Sequence, residues 1–269
     1  MPHPQVYVIR APGTNCDIET AYAFEQCGAA VERLHLFRVL ERPQLLRDCQ
    51  ILCIPGGFSY GDDVGAGVIF ANQLRGRVAD TLGEFLQADK LALGICNGFQ
   101  VLLKAGVLPG GGSAWPPDRS ILPEATLTWN ENGKFTARWV HLRTAGSQNV
   151  FLRGIDELDL PIAHAEGRLV ARDESVLNAW RAREQIALYY AHKDHATTDE
   201  QVLPYPENPN GSVANIAALG DPSGRVLGLM PHPERHIHPT QHPQWTRMKN
   251  LPEEGAGLKL FRNAVEYFQ

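Results

Sequence analysis

Leu91-Ala-Leu-Gly-Ile-Cys-Asn-Gly-Phe-Gln100 is the stretch on which the reading of this chain turns. An apolar run enters Cys96 and a helical pattern leaves it, with Gly94 and Gly98 two residues to either side. That spacing places a nucleophile on a sharp strand-to-helix turn. The glycines are needed because strand and helix crowd together there. Such a turn lifts the sulfur out at the carboxyl edge of a parallel sheet, where doubly wound folds bind ligands. The helix sets its positive end beside the sulfur, and the backbone N–H of Asn97 points toward a developing oxyanion. Taken alone, the string also fits a buried cysteine beside two packing glycines.

Outward from this segment, short apolar runs at 6–9, 31–36, 51–54 and 91–95 alternate with helical patterns at 17–26, 43–47, about 69–86 and 98–105. A Gly-rich loop covers 55–67. This alternation predicts an α/β fold whose central, mostly parallel sheet carries helices on both faces. Further runs at 125–129, 135–142, 160–165, 186–190 and 213–219 are separated by turn signals such as Asn132-Gly133. They predict antiparallel additions to that sheet. A last strand at 226–230 and a terminal helix at 257–268, apolar on one face, complete the pattern. The stretch 110–117 reads as a loop, not a linker. With no internal repeat, 1–269 is expected to form a single domain.

Composition narrows the function classes. Apolar residues at 43% and charged residues at 20% match an ordinary soluble protein large enough for a substantial core. A net charge of −5 gives no electrostatic reason to expect nucleic acid or an anionic membrane as partner. No apolar run is long enough to span a bilayer, and residues 1–10 lack a secretory pattern. A cytoplasmic protein is expected. The cysteines, Cys16, Cys27, Cys49, Cys53 and Cys96, are odd in number and form no CxxC pair, which argues against a disulfide framework. Four read as small packed thiols; Cys96 stands apart through its neighbours.

A second constellation is Leu227-Gly-Leu-Met-Pro-His-Pro-Glu-Arg235. Pro233 biases His232 toward an extended backbone. Residues two apart on an extended chain project to the same side, so His232 and Glu234 are expected to meet. A histidine whose tautomer is fixed by a carboxylate is the general base that a thiol nucleophile needs. Two other readings compete: ordinary surface histidines in a Pro-rich loop, or a metal cluster of His232, His236, His238 and His242. The histidine spacing matches no standard zinc motif.

Together the two constellations resemble the class I, or triad, glutamine amidotransferases. Within them the chain is most similar to the glutaminase-subunit family of phosphoribosylformylglycinamidine synthase. Further segments carry the likeness from Val6 to the terminal helix: Pro55-Gly-Gly-Phe-Ser-Tyr-Gly-Asp62, Gly133-Lys-Phe135, Arg138-Trp-Val140, Pro161-Ile-Ala-His164, Glu166-Gly-Arg168 and Asn208-Pro-Asn-Gly-Ser212. The resemblance implies a class I glutamine amidotransferase-like (flavodoxin-like) sandwich. It also implies a glutamyl thioester on Cys96, with His232 as base and Glu234 holding it. Gly57 and Asn97 would form the oxyanion hole, and Gly56, Gln100, His164 and Glu166 would line the glutamine pocket. Phe58, Tyr60 and Asp62 are expected to shape the loop.

By the same likeness, ammonia passes to a large synthetase subunit in purine synthesis, with room for a small accessory subunit. No cofactor is expected on this chain; ATP and Mg belong on the partner, since no phosphate-binding Gly-x-x-x-x-Gly-Lys-Ser/Thr loop occurs here. Two departures stand out. Ala165 replaces an expected glycine, and extra length falls at 173–183 and 239–254. Alternative readings are an amidotransferase serving another acceptor, a silent regulatory subunit of the same fold, and a cysteine hydrolase sharing the elbow.

Overall fold

The computed structural model describes residues 3–118, 120–145, 148–194 and 201–269. Its elements are, in chain order, β1 (Gln5–Arg10), α1 (Asp17–Gln26), β2 (Ala30–His35), α2 (Leu36–Glu41), β3 (Ile51–Ile54), α3 (Val68–Leu74), α4 (Ala79–Gln87), β4 (Leu91–Ile95) and α5 (Asn97–Ala105). There follow β5 (Ala125–Thr128), β6 (Thr136–Thr144), β7 (Glu157–His164), β8 (Arg168–Ala171), α6 (Glu174–Ala182), β9 (Ile186–Tyr190), β10 (Ile216–Gly220), β11 (Val226–Leu229) and α7 (Leu258–Glu266).

Among the described residues, nine strands form one sheet in the order β2-β1-β3-β4-β11-β10-β9-β6-β7. The first five run parallel; β10, β9, β6 and β7 extend the sheet antiparallel. Burial follows from position. β3, β4, β11 and β10 are buried at every residue, as strands covered on both faces must be. The edge strand β7 alternates buried with half-exposed positions along most of its length. The connections β1–α1–β2 and β3–α3–α4–β4 cross the sheet in opposite directions, so right-handed crossovers put their helices on opposite faces. α1 packs against α7 on one face and α3 against α5 on the other. Phe24 and Phe261 meet edge to face, 4.9 Å between centroids, where α1 joins α7.

The structure refines several expectations. The helical pattern at 69–86 is two helices, α3 and α4, broken around Gly76, where a helical glycine would cost about 1 kcal/mol relative to alanine. The segment 43–47 is a 3-10 helix, and 213–215 is a 3-10 turn before β10. β2 stops at His35, whose ring caps the added helix α2 by accepting from the Phe37 N–H. The extra length at 173–183 is an amphipathic helix, α6, capped by Asp173 and burying Val176, Leu177 and Trp180. The extra length at 239–254 holds two 3-10 turns, Pro239–Gln241 and Trp245–Arg247. Asn132-Gly133 does turn the chain between β5 and β6, but these strands do not pair with each other. β6 takes β7 in a long register, Thr136↔His164 to Arg143↔Glu157, while β5 pairs with β8 in a separate ribbon.

Candidate active site

The site lies at the carboxyl ends of β1, β3, β4, β7 and β11. Cys96 follows the last residue of β4 and precedes α5, with φ 51 and ψ −105, a region that non-glycine residues seldom adopt. The turn is tight enough to forbid side chains on both flanks. A Cβ on Gly98 would stand 1.8 Å from the Ile54 carbonyl oxygen, and one on Gly94 2.6 Å from the Gly98 oxygen. The Cys96 N–H donates to the Leu229 carbonyl at 2.7 Å, carrying the β4–β11 ladder one residue past the strand. Its carbonyl accepts from the Gln100 N–H at 3.1 Å, the first turn of α5. The sulfur is left with one distant neighbour in the backbone, the Ala163 carbonyl at 3.8 Å.

Because β11 is the hydrogen-bonded neighbour of β4, the chain leaving β11 passes beside Cys96. His232 is extended, at φ −107 and ψ 91, and its N–H donates to the Pro161 carbonyl at 2.8 Å. Glu234 reaches it differently from the strand-like alternation expected. Pro233–Arg235 coil into a 3-10 turn that brings the carboxylate back, with Oε1 2.6 Å from Nδ1 of His232. Both side chains are buried. With the carboxylate on Nδ1, the proton there is fixed and Nε2 is the nitrogen left to exchange one; Nε2 has no hydrogen-bond partner among the described residues. Burial by itself pushes the His232 imidazolium down. The Glu234 carboxylate, then the Cys96 and Cys16 sulfurs, outweigh it and hold its proton affinity well above the usual range.

Gly57 presents the other half of the chemistry. The segment 13–16 runs antiparallel to it, with Asn15 and Cys16 N–H groups donating to the Gly56 carbonyl at 3.4 and 3.2 Å, and Phe58 N–H to the Gly13 carbonyl at 2.9 Å. Gly57 sits at φ 143, and a Cβ there would lie 2.7 Å from the Asn15 nitrogen. In a trans peptide the Gly57 N–H points opposite to the Gly56 carbonyl, hence away from segment 13–16. It has no acceptor among the described residues. The Asn97 N–H is the first of α5 and has no helical acceptor. Two donors are thereby free for an oxyanion.

The expected pocket residues form one polar wall. Asn97 accepts from the Ser59 N–H at 3.1 Å and donates to Asp62 at 3.2 Å and to Gln100 Oε1 at 2.9 Å. Gln100 donates on to the Glu166 carbonyl at 2.7 Å, so both ends of its amide are engaged within the protein. The Glu166 carboxylate accepts from the Ala66 N–H at 3.4 Å. Burial, reinforced by Glu166, raises Asp62 to about 6. Tyr60 and Asp62 take left-handed conformations, which fits their part in shaping the loop. His164 is buried, its Nδ1 3.0 Å from Asn130 Oδ1, and burial with the nearby His232 charge pushes it down to about 3. Gly167 is required beneath that ring, where a Cβ would come within 2.1 Å. Ala165 does not have a positive φ, so its Cβ is tolerated where glycine was expected. Gly56 backs onto the ring of His232: a Cβ there would lie 2.8 Å from Cε1.

Sequence reasoning missed Cys16, Asn130 and Arg235. Asn130 ties the site loop together, accepting from the Gly167 N–H at 3.0 Å and donating to the His164 carbonyl at 2.8 Å. Cys16 lies against His232, and Arg235 donates to its sulfur at 3.1 Å. Among the described residues, Cys16, His232 and Glu234 are the group whose ligand atoms lie close enough to share a metal ion. The Arg235 guanidinium at that sulfur opposes a dication there. The histidine cluster does not form: His236 and His242 instead flank Trp139, at 4.9 and 4.7 Å between centroids. No helix among the described residues is long and apolar enough to cross a membrane.

The family profile of the CobB/CobQ-like glutamine amidotransferase domain matches residues 3–268. A Dehalococcoides mccartyi protein named phosphoribosylformylglycinamidine synthase subunit PurQ is 44% identical over 97% of this chain and 96% of its own. A Methanococcus maripaludis protein of the same name is 36% identical over 98% and 97%. A solved structure of PurLQS from Thermotoga maritima contains a chain that superposes with a TM-score of 0.71 at 28% identity, covering all of both chains. A glutamine amidotransferase of Thermotoga maritima shares the fold, with a TM-score of 0.54 at 16% identity and coverage of 99% and 98%.

Proposed function

Since the chain belongs to the CobB/CobQ-like glutamine amidotransferase family, we propose that Cys96, His232 and Glu234 hydrolyse glutamine through a thioester. The chain is the glutaminase subunit of phosphoribosylformylglycinamidine synthase, a ligase complex of purine biosynthesis. Its partner is the large synthetase subunit, with a small third subunit as in PurLQS.

The observation that carries the catalytic assignment is the junction of a strained Cys96 with the buried His232–Glu234 pair and the two free N–H groups. His232 Nε2 holds the proton given up by Cys96, and the sulfur attacks the side-chain amide carbon of glutamine as a thiolate beside the imidazolium. The carbonyl oxygen becomes an oxyanion held by the Gly57 and Asn97 N–H groups. As the C–N bond breaks, His232 returns the proton to the departing nitrogen and ammonia leaves. Water then gives a proton to His232 and attacks the thioester; the C–S bond breaks, glutamate is released and the Cys96 sulfur is left beside the imidazolium for the next turnover. Glu234 stays ionised and keeps the ring in register. Gly56, Gln100, His164 and Glu166 form the pocket wall, Gln100 by bracing Asn97 to Glu166 and His164 as a neutral ring. ATP and Mg act on the synthetase, the whole of 1–269 serves as one amidotransferase domain, and the complex works in the cytoplasm.

The test is covalent labelling with a glutamine-analogue electrophile, followed by peptide mapping. Modification is expected at Cys96 and at none of the other four cysteines; an unlabelled Cys96 in an otherwise intact complex refutes the assignment.

A further inference from the structure

Cys16 belongs to no motif that marked the site, yet it lies against His232, Glu234 and Gly56. It is wholly buried at the start of α1. Its sulfur, a ring nitrogen of His232 and a carboxylate oxygen of Glu234 all lie within 4.8 Å of one another. The sulfur and the ring meet beside Gly56. The space a Cβ on Gly56 would fill lies 2.8 Å from His232 Cε1, 3.4 Å from Nδ1 and 3.1 Å from the Cys16 sulfur. Sulfur, glycine and ring edge are therefore packed against one another.

The sulfur has a defined polarity. Its S–H donates to Asn15 Oδ1 at 3.2 Å, while Arg235 Nη2 donates to its lone pairs at 3.1 Å. Burial pushes this thiol up, so it remains neutral and acts as an acceptor. Arg235 in turn lies 3.6 Å from Glu19 and 4.0 Å from Glu234. The main chain of the same residue makes the second connection. Its N–H holds the Gly56 carbonyl at 3.2 Å, and its own carbonyl is anchored by Thr20, at 2.6 Å from Oγ1 and 3.1 Å from N.

We propose that Cys16 is a positioning residue for glutamine hydrolysis: its sulfur seats the His232 ring beside Gly56, while its backbone amide aims the Gly57 N–H at the oxyanion. General base and oxyanion donor are thereby referenced to one residue, at the N-terminal cap of α1. This rests on the assignment of Cys96, His232 and Glu234 as the glutaminase triad. The groups bearing on the His232 proton are Glu234 and Arg235 from its own turn, Cys96 from the start of α5, His164 from β7, and Cys16. Removing the Cys16 acceptor withdraws one stabiliser of the imidazolium.

The experiment compares Cys16→Ala and Cys16→Ser with wild type in the synthetase complex, following glutamate release across pH. The side-chain variants leave the backbone contact to Gly56 in place and so read the sulfur alone. Cys16→Ala is expected to lower kcat about tenfold with KM within about threefold, since a base displaced by a fraction of an ångström loses rate before it loses binding. The alkaline limb of its kcat profile should move to lower pH. Cys16→Ser, whose hydroxyl still accepts, should recover most of both. Should the alanine variant fold poorly, Cys16→Val, which fills the space without an acceptor, must show the same fall and shift. Wild-type kcat and pH profile in the alanine variant would overturn the proposal, as would equal losses in the Ala and Ser variants with an unmoved alkaline limb. Failure of the triad assignment looks different: wild type itself would release no glutamate, or Cys96 would go unlabelled.

Discussion

At the scale of single residues, the site separates two buried histidines by their partners. His232 has a carboxylate at 2.6 Å and binds its proton tightly; His164 has only an amide oxygen and is pushed down to about 3. Glu234→Gln removes the charge that orients His232, and kcat for glutamine should fall by roughly 10³-fold or more with the fold intact. Glutamate release and a circular dichroism melt check both halves of that statement. His164 has a lowered native value, set first by burial. The unfolded ring takes a proton near 6.5, the native ring does not, so its stabilising contribution is complete above about pH 6.5 and is lost as pH falls toward 3. Up to ~1.4 kcal/mol per pH unit is at stake in that window. Imidazole carbon shifts followed by NMR should show His164 neutral down to about pH 4; titration near 6.5 would contradict the burial argument.

At the scale of elements, the elbow depends on the absence of atoms. Gly98→Ala would place a methyl 1.8 Å from the Ile54 carbonyl, and neither α5 nor β3 can yield without moving the sheet. A loss of at least about 3 kcal/mol is expected, measured as a shift in denaturant midpoint. This motif was legible because its constraint is local: apolar strand, two glycines at fixed offset, helix. The same holds for β1, β3, β4 and β11, whose unbroken apolar runs announce burial on both faces. Where reading failed, a local signal was overlooked or the cause was distant. Gly76 announced the break between α3 and α4, and Asp173 with Val176, Leu177 and Trp180 announced α6. The refusal of β5 to pair with β6 had no local mark, since it depends on what β7 and β8 offer elsewhere.

At the scale of the whole molecule, most of the candidate site was readable and its bracing was not. Cys96, His232 and Glu234 carry recognisable neighbours in sequence. Cys16 meets Arg235 across 219 residues, and nothing around Thr14-Asn-Cys-Asp17 hints at it. The same distance of view separates the chain from its partner. An open site would let ammonia escape as ammonium, so glutamine turnover should be coupled to the complex. We expect slow glutamate release from the isolated chain and an increase on the order of tenfold or more on adding the synthetase, since closure that completes a site sets kcat in many enzymes. Full activity of the lone chain would break that link.

The bond from Cys96 N–H to the Leu229 carbonyl has a further consequence. It makes the reach between sulfur and imidazole a property of one sheet rung, fixed near the ~4.8 Å gap between neighbouring strands. The stretch between β8 and β9, which carries α6 and none of the site residues, lies off that rung. Length added there, as α6 adds it, reshapes the outer surface without retuning the distance over which the proton moves.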